Sequence, residues 1–492
     1  MAKLTAVIDF GSNSVRLVIF ERTSRFGFKI VHESKSRVRI GEGAYLELGV
    51  LQQEPMNRAA LALSGFNSII KSFKVRKILA IATSALRDAP NKNIFLNRIK
   101  KELGINIKVI DGKTEALLGG IACANLLQLE QKAVTVDIGG GSTEFALIEN
   151  RKVINTYSLN LGTVRLKELF ENSNITEAKS YINVELAKLP LVLYSDLLIG
   201  IGGTIRALSK VIQKKEKYPL KRIHGFKYSY QTHKLFFDAV TKMDRENLLK
   251  MNFKPERVDV IPWGVLIFNQ IINLFQANNI ITSGVGIREG LFLKDNLRNM
   301  QSRYPDNFNP SIRNILDDFE ISNIVGKIQF RVANILFNTL ENYFQISKYK
   351  NTIANISKLI EIGVKIHFYG NSKNGFQMIL DRFIYGISHE ESLLIATVIR
   401  FSGKNRISEK IYDEFGLLLP TSKDLKSIHS IIYLTKILTL NYSKTINFNL
   451  EFLENRLIIR VFDDTLFYMI NEKLGTLENL DIQVLQSSIN GN

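Results

Sequence analysis

Two acidic residues, Asp9 and Asp137, each close an apolar run and open a turn of small residues. The first segment reads Ile8-Asp9-Phe10-Gly11-Ser12-Asn13-Ser14, the second Val136-Asp137-Ile138-Gly139-Gly140-Gly141-Ser142-Thr143-Glu144. Gly139, Gly140 and Gly141 carry no Cβ and tolerate positive φ, so backbone N–H groups can close around an anion there. Ser12 and Asn13 in the first turn, and Ser142 and Thr143 in the second, add polar donors. Phosphate binding needs such donors and no bulk. Asp137 and Glu144 next to a polyanion are costly unless a cation lies between them. Mg²⁺, held by one or two carboxylates with phosphate oxygens and water, meets that need. Asp9 can supply a third oxygen, directly or through water.

Further candidates sit where strands hand over to helices. Glu115 falls in the first turn of a helix expected near Thr114, where the helix N-terminus favours an ionised carboxylate. Hydrolysis of a terminal phosphoanhydride needs a water in line with the leaving oxygen and a group to take its proton. Arg87 follows a strand and a small-residue turn, so its guanidinium can reach a phosphate bidentately. Arg206 and Arg288 each follow a glycine turn, and Thr204 ends one at a helix N-terminus, where phosphate is readily bound. The six histidines are scattered and suggest no ligand set. Cys123, the one cysteine, lies in the apolar run Ile121-Ala122-Cys123-Ala124 and reads as structural.

The elements that must position these residues alternate. Strands are expected at Leu4 to Ile8, Val15 to Phe20, Lys77 to Ala82 and Ile105 to Ile110. A helix is expected over Asn91 to Leu103, stopped by Gly104. The second half repeats the scheme from Ala133, with strands at Phe145 to Ile148, Leu197 to Ile201 and Ile280 to Thr282, and a helix from Ile205. Strand–helix alternation of this kind predicts α/β domains with largely parallel sheets and an antiparallel hairpin at the start of each. Two such domains facing each other, over residues 1–125 and 126–300, bring both Asp-Gly hairpins onto one ligand. Beyond residue 300, helix-period apolar residues dominate, predicting a mainly helical domain over 301–440. Residues 441–492 then form a small α+β unit, with strands at Thr445 to Phe452 and Asn455 to Val461.

At 492 residues the chain exceeds a single core, and its 45% apolar and 23% charged residues are those of a soluble globular protein. No apolar run approaches the roughly 18 residues of a membrane span. The first residues run straight into a strand, which argues against a signal peptide, and the lone cysteine fits a cytoplasmic protein. The net charge of +18 favours polyanionic partners. No dense basic tail or aromatic-basic array marks a nucleic-acid binder.

Together these stretches resemble the exopolyphosphatase/guanosine pentaphosphate phosphatase family of the actin–hexokinase–Hsp70 superfamily. The segments Asp9 to Ser14, Ala82 to Arg87, Glu115-Ala116, Asp137 to Glu144, Leu159 to Arg165, Gly202 to Leu208, Glu256 to Pro262 and Ser283 to Gly290 carry the resemblance. It implies two actin-like (ribonuclease H-like) α/β domains flanking a cleft. It implies Glu115 as general base, with Asp137 and Glu144 organising Mg²⁺ and the attacking water. Asn13, Arg87 and Gly140 to Thr143 then bind phosphate. The expected substrates are inorganic polyphosphate and guanosine pentaphosphate, and a homodimer is expected. The helical part is similar to HD-type metal phosphohydrolases. Where those carry Leu-His-Asp-Ile-Gly, this chain has Leu359-Ile360-Glu361-Ile362-Gly363. That departure implies an HD-like domain without its metal ligands. The turns by themselves also permit a small-molecule kinase or a non-catalytic nucleotide or polyphosphate sensor.

Overall fold

A computed structural model of the chain describes residues 3–44, 49–171, 175–319 and 323–487. It divides into two compact units, Met1–Pro310 and Ser311–Asn492.

The first unit holds two sheets built on one plan. In its first half, β1 (Leu4–Phe10), β2 (Val15–Arg22) and β3 (Phe28–Ser36) precede α1 (Gln53–Ser72) and β4 (Lys77–Ala82). Helices α2 (Ser84–Asp88) and α3 (Lys92–Leu103), strand β5 (Ile107–Val109) and α4 (Gly112–Leu126) follow. The second half runs β6 (Ala133–Ile138), β7 (Thr143–Glu149), β8 (Lys152–Leu159), α5 (Thr163–Phe170), α6 (Ile175–Leu186), β9 (Leu197–Ile201) and α7 (Gly203–Lys215). It continues with β10 (Phe226–Ser229), α8 (Tyr230–Val240), α9 (Arg245–Lys250), α10 (Ile261–Phe275), β11 (Asn279–Thr282) and α11 (Ile287–Asn296).

The sheets run in the orders β3-β2-β1-β4-β5 and β10-β11-β9-β6-β7-β8. Each central strand, β1 or β6, pairs antiparallel with the next strand of its hairpin and parallel with the strand that returns after helices or loops. Apart from the extra edge strand β10, the two orders superimpose, giving the duplicated α/β architecture that the resemblance implies. The central strands are buried on both sides (Ala6, Val7 and Ile8; Val134, Thr135 and Val136), as sheets covered on two faces require. Gly104 ends α3 in the left-handed conformation, with its N–H on the Lys100 carbonyl.

Helix α4 begins two residues before the expected start. The Asp111 carboxylate accepts from the Thr114 N–H at 2.6 Å and caps it. α4 and α11 then cross at backbone contact. A Cβ on Gly290 would lie 1.8 Å from the Leu118 carbonyl oxygen, so only glycine permits this approach.

The second unit contains helices over Asn323–Phe344, Asn371–Arg382, His389–Phe401 and Ser422–Ile437, among shorter ones. Its apolar core includes Leu336, Leu340, Ile395 and Ile431. Strands β12 (Phe448–Leu453) and β13 (Arg456–Val461) form the expected hairpin. A third strand, β14 (Asp481–Gln486), pairs parallel with β13 after a helix over Asp464–Lys473. At the departed HD-like position, Glu361 accepts from Asn371 Nδ2 at 2.6 Å and pairs with Lys436 at 3.3 Å. No helix among the described residues is long and apolar enough to cross a membrane.

Candidate active site

The carboxyl ends of the inner strands of both sheets open onto one cleft in the first unit. Asp9, Ser12, Asn13, Glu115, Asp137, Gly139, Gly140, Ser142, Thr204, Arg206 and Arg288 all line it. The two hairpin turns have the same construction. Gly11 N–H donates to the Ser14 carbonyl at 3.1 Å, and Gly139 N–H to the Ser142 carbonyl at 2.9 Å.

In each turn the carbonyls are drawn away from the cleft. Asn13 and Ser12 carbonyls accept from the N–H groups of Arg39 and Gly41. The Gly140 carbonyl accepts from Val164 and Arg165 N–H at the start of α5, and the Gly141 carbonyl from Arg165 Nε at 2.9 Å. The N–H groups of Ser12, Asn13, Gly140 and Gly141 have no backbone acceptor among the described residues, which leaves donors for an anion.

Strand register sets the charges. Asp137 faces Glu144 across the β6–β7 hairpin, and Asp9 faces Arg16 across β1–β2. Glu144 is 2% exposed and accepts from Ser158 Oγ at 2.9 Å. Glu115, on the first turn of α4, pairs with Arg87 Nη1 at 3.1 Å. The other Arg87 amino group lies 3.5 Å from Ser142 Oγ.

Burial pushes the Glu115 carboxyl well above its ordinary range, and the nearby Glu144 adds to the shift while Arg87 opposes it. Glu144 is also raised, by burial first, with Ser142 and Ser158 opposing. Asp137 is pushed up to about 6 by burial, with Arg206 opposing and Asp9 reinforcing. Asp9 is raised by burial against the pull of Arg288 and Arg16. Burial pulls Arg206 down to about 10; its Nε donates to the Ser283 carbonyl at 2.9 Å. For Arg288, burial is outweighed by Glu289, Asp9 and Glu33, which hold it charged.

These acids fit Mg²⁺ in one respect and limit it in another. Carboxyls left this reluctant to ionise gain most from a neighbouring dication. Yet among the described residues no three His, Cys, Asp or Glu side chains converge as a ready-made metal cage. Asp137 and Asp9 could contribute one or two oxygens, leaving phosphate and water to complete an octahedron.

Residues 18–299 match the Ppx/GppA phosphatase family. The chain belongs to that family. It is 31% identical over 301 residues to a bifunctional 3-dehydroquinate synthase/phosphatase of Fusobacterium nucleatum, covering 57% of this chain and 45% of that protein. It is 24% identical to the guanosine-5'-triphosphate,3'-diphosphate pyrophosphatase of Photobacterium profundum, over 81% of this chain and 80% of the relative. The crystal structure of the Aquifex aeolicus Ppx/GppA family member aligns with a TM-score of 0.53 at 30% identity, over 61% of this chain and 99% of that one. The chain thus spans less than half of the Fusobacterium protein.

Four residues singled out in the sequence do not line the Ppx/GppA cleft itself. Arg87 and Glu144 stand behind it, touching Ser142 and Ser158 respectively. Thr143 is fully buried and its hydroxyl donates to the Leu161 carbonyl, and Gly141 is held on α5. None of Gly139, Gly140 and Gly141 adopts positive φ. The left-handed residue is Gly202 (φ +93°), where a Cβ would lie 2.9 Å from Asp137 Oδ1. Arg16, Arg257, Thr83 and Ser84 line the cleft and were not anticipated. Arg16 had a signal: it stands seven residues after Asp9, as Glu144 stands seven after Asp137. Arg257 had none, since it arrives from the loop before α10. It approaches so closely that a Cβ on Gly203 would meet its guanidinium.

Proposed function

We propose that the protein is a Mg²⁺-dependent phosphohydrolase that removes the terminal phosphate of inorganic polyphosphate, guanosine pentaphosphate or both. The observation that carries this reading is the half-buried Glu115–Arg87 pair beside the second hairpin turn. A carboxylate whose pKa is lifted out of the usual range is a better proton acceptor near neutral pH than an ordinary surface acid. Family membership and a relative named as a guanosine pentaphosphate pyrophosphatase support the same chemistry.

The two turns would seat the terminal phosphates on Ser12, Asn13 and Gly140, with Arg288 and Arg206 adding charge around them. Asp137, assisted by Asp9, would hold Mg²⁺, which supplies charge neutralisation to the phosphoryl oxygens. Glu144, behind the cleft, would keep Glu115 basic by its nearby charge, and Glu115 would accept the proton of the attacking water as it adds in line. Arg87 would then steady Glu115 and reach toward phosphate through the Ser142 side. The second unit reads as an HD-like domain serving substrate docking, regulation or dimer contacts.

Phosphate release from long-chain polyphosphate and from guanosine pentaphosphate, with and without Mg²⁺, tests the reading. Glu115→Gln is expected to lower kcat by about 10³-fold with little change in KM. Full activity in that variant, or no release from either substrate by the parent, overturns it. Because the base acts ionised, kcat falls as pH drops through the raised pKa of Glu115. Arg87→Gln removes an opposing cation and moves that acid limb to higher pH.

A further inference from the structure

The two units differ sharply in charge. Met1–Pro310 carries 45 Lys and Arg against 28 Asp and Glu, whereas Ser311–Asn492 carries 20 against 19. One genome encodes both, so a basic proteome does not explain the difference. Much of the excess is local. Between Asp196 and Asp238 the only acid is Glu216. That residue lies 3.0 Å from His233 and pairs with no lysine among the described residues.

Lys210, Lys214, Lys215, Lys217, Lys221 and Lys227 are all exposed in this stretch. Lys234 on α8 is exposed as well. None of the seven has an ion-pair partner among the described residues, unlike Lys77, Arg98, Arg165 or Lys188 elsewhere in the unit. Lys227 lies on the face of β10 opposite Phe226 and Tyr228, the side on which α7 packs; the other six belong to one stitched surface. The loop after α7 folds back, with Gln213 Nε2 donating to the Arg222 carbonyl at 2.8 Å. Tyr218 packs edge-on to Phe226 of β10 at 4.9 Å, and the His233–Glu216 contact ties α8 to the end of α7.

We propose that this lysine surface binds inorganic polyphosphate at a distance from the cleft, holding the part of a long chain that the cleft does not. The inference rests on polyphosphate being a substrate of the proposed reaction. Helix α7 connects the two places. Its N-terminus presents Thr204 to the cleft, and its thirteen residues carry the backbone about 20 Å to Lys215. Lysine ammonium groups are compact charges that meet phosphate oxygens without demanding a fixed geometry. The surface also lacks what a single-stranded nucleic acid would use. Of the aromatic residues there, Phe226, Tyr228 and Tyr230 are buried and Tyr218 is half-buried against Phe226, so no array of exposed rings offers bases a stacking platform. A polyanion without bases fits these groups better.

The test uses the full chain carrying Lys214→Glu, Lys217→Glu and Lys221→Glu together, with unchanged melting temperature confirming the fold. Binding of long-chain polyphosphate, of tripolyphosphate and of a single-stranded DNA oligonucleotide is measured by fluorescence titration in a Glu115→Gln background. That readout does not depend on hydrolysis, so a failure of the proposed reaction leaves it intact. The triple variant is expected to weaken long-chain polyphosphate binding at least tenfold and to leave tripolyphosphate binding within twofold. The slope of log affinity against log salt becomes shallower by about 2, near 0.7 per charge removed. Undiminished long-chain binding in the variant, equal loss for tripolyphosphate, or tighter binding of the oligonucleotide than of polyphosphate by the parent overturns the proposal.

Discussion

The two hairpins of the first unit share a register and a turn bond but not a charge. Asp9 faces Arg16, a neutral pair rich in donors, and Asp137 faces Glu144, a doubly acidic pair. At the turns, Ser12 and Asn13 stand where the second hairpin has Gly140 and Gly141. One architecture used twice therefore offers an anion-binding side and a side suited to a cation and a water. A duplicated fold gains a reaction when its copies diverge at the facing position of one strand pair.

That comparison breaks most readily at its two facing residues. Glu144→Gln should cost about 10² to 10³-fold in kcat, while Arg16→Gln should raise KM about tenfold with kcat within about threefold. Steady-state kinetics on polyphosphate separates them; equal effects on the same parameter would show that the hairpins are not specialised. A finer contrast lies in how the turns are tied back. The second turn adds a side chain to its backbone ties, since Arg165 holds the Gly141 carbonyl and reaches Asp88 of the first half at 3.2 Å. The first depends on backbone N–H groups of Arg39 and Gly41. Arg165→Ala should lower kcat about tenfold, and Arg39→Ala less than about twofold. The Asp88→Arg, Arg165→Asp exchange should recover part of the loss if the ion pair itself places the turn.

The smallest effect concerns stability. Asp137 is raised to about 6 from an ordinary value of 3.8, so the folded state holds a proton that the unfolded chain has released between those pH values. Stability from this group is present below pH 3.8 and lost as pH rises through about 6. In metal-free protein, Asp137→Asn should raise the melting temperature by a few degrees at pH 7.5 and leave it unchanged at pH 3.5. Added Mg²⁺ should stabilise the parent and not that variant, by mass action on the folded state. Calorimetry across that pH range reads both, and a variant less stable than the parent at pH 7.5 without metal would reverse the sign argued here.

Much of this site was legible because its residues sit at strand ends, where apolar runs stop abruptly at an Asp and a glycine. The hairpins at 9–14 and 137–144 and the helix bearing Glu115 are signals of that local kind. The reasons behind them were less legible. Gly139 to Gly141 suggested positive φ, but the left-handed position is Gly202, whose need arises from its approach to Asp137. Thr143 looked like a donor, but strand alternation turns it inward to Leu161. Arg257 depends on a loop meeting α7 across the fold, and β14 on a strand returning parallel after a helix. Contacts between distant segments leave no periodicity to read.

The backbone contact of Gly290 with Leu118 has a mechanical consequence. Two helices in backbone contact leave no side-chain layer between them that could repack, so a shift of one carries the other with it. Glu115 lies one turn from Leu118 and Arg288 two residues from Gly290, so that contact fixes the acid and the cleft arginine relative to each other. Bulk added at Gly290 would therefore part Glu115 from Arg288 and lower activity without changing any residue of the cleft itself.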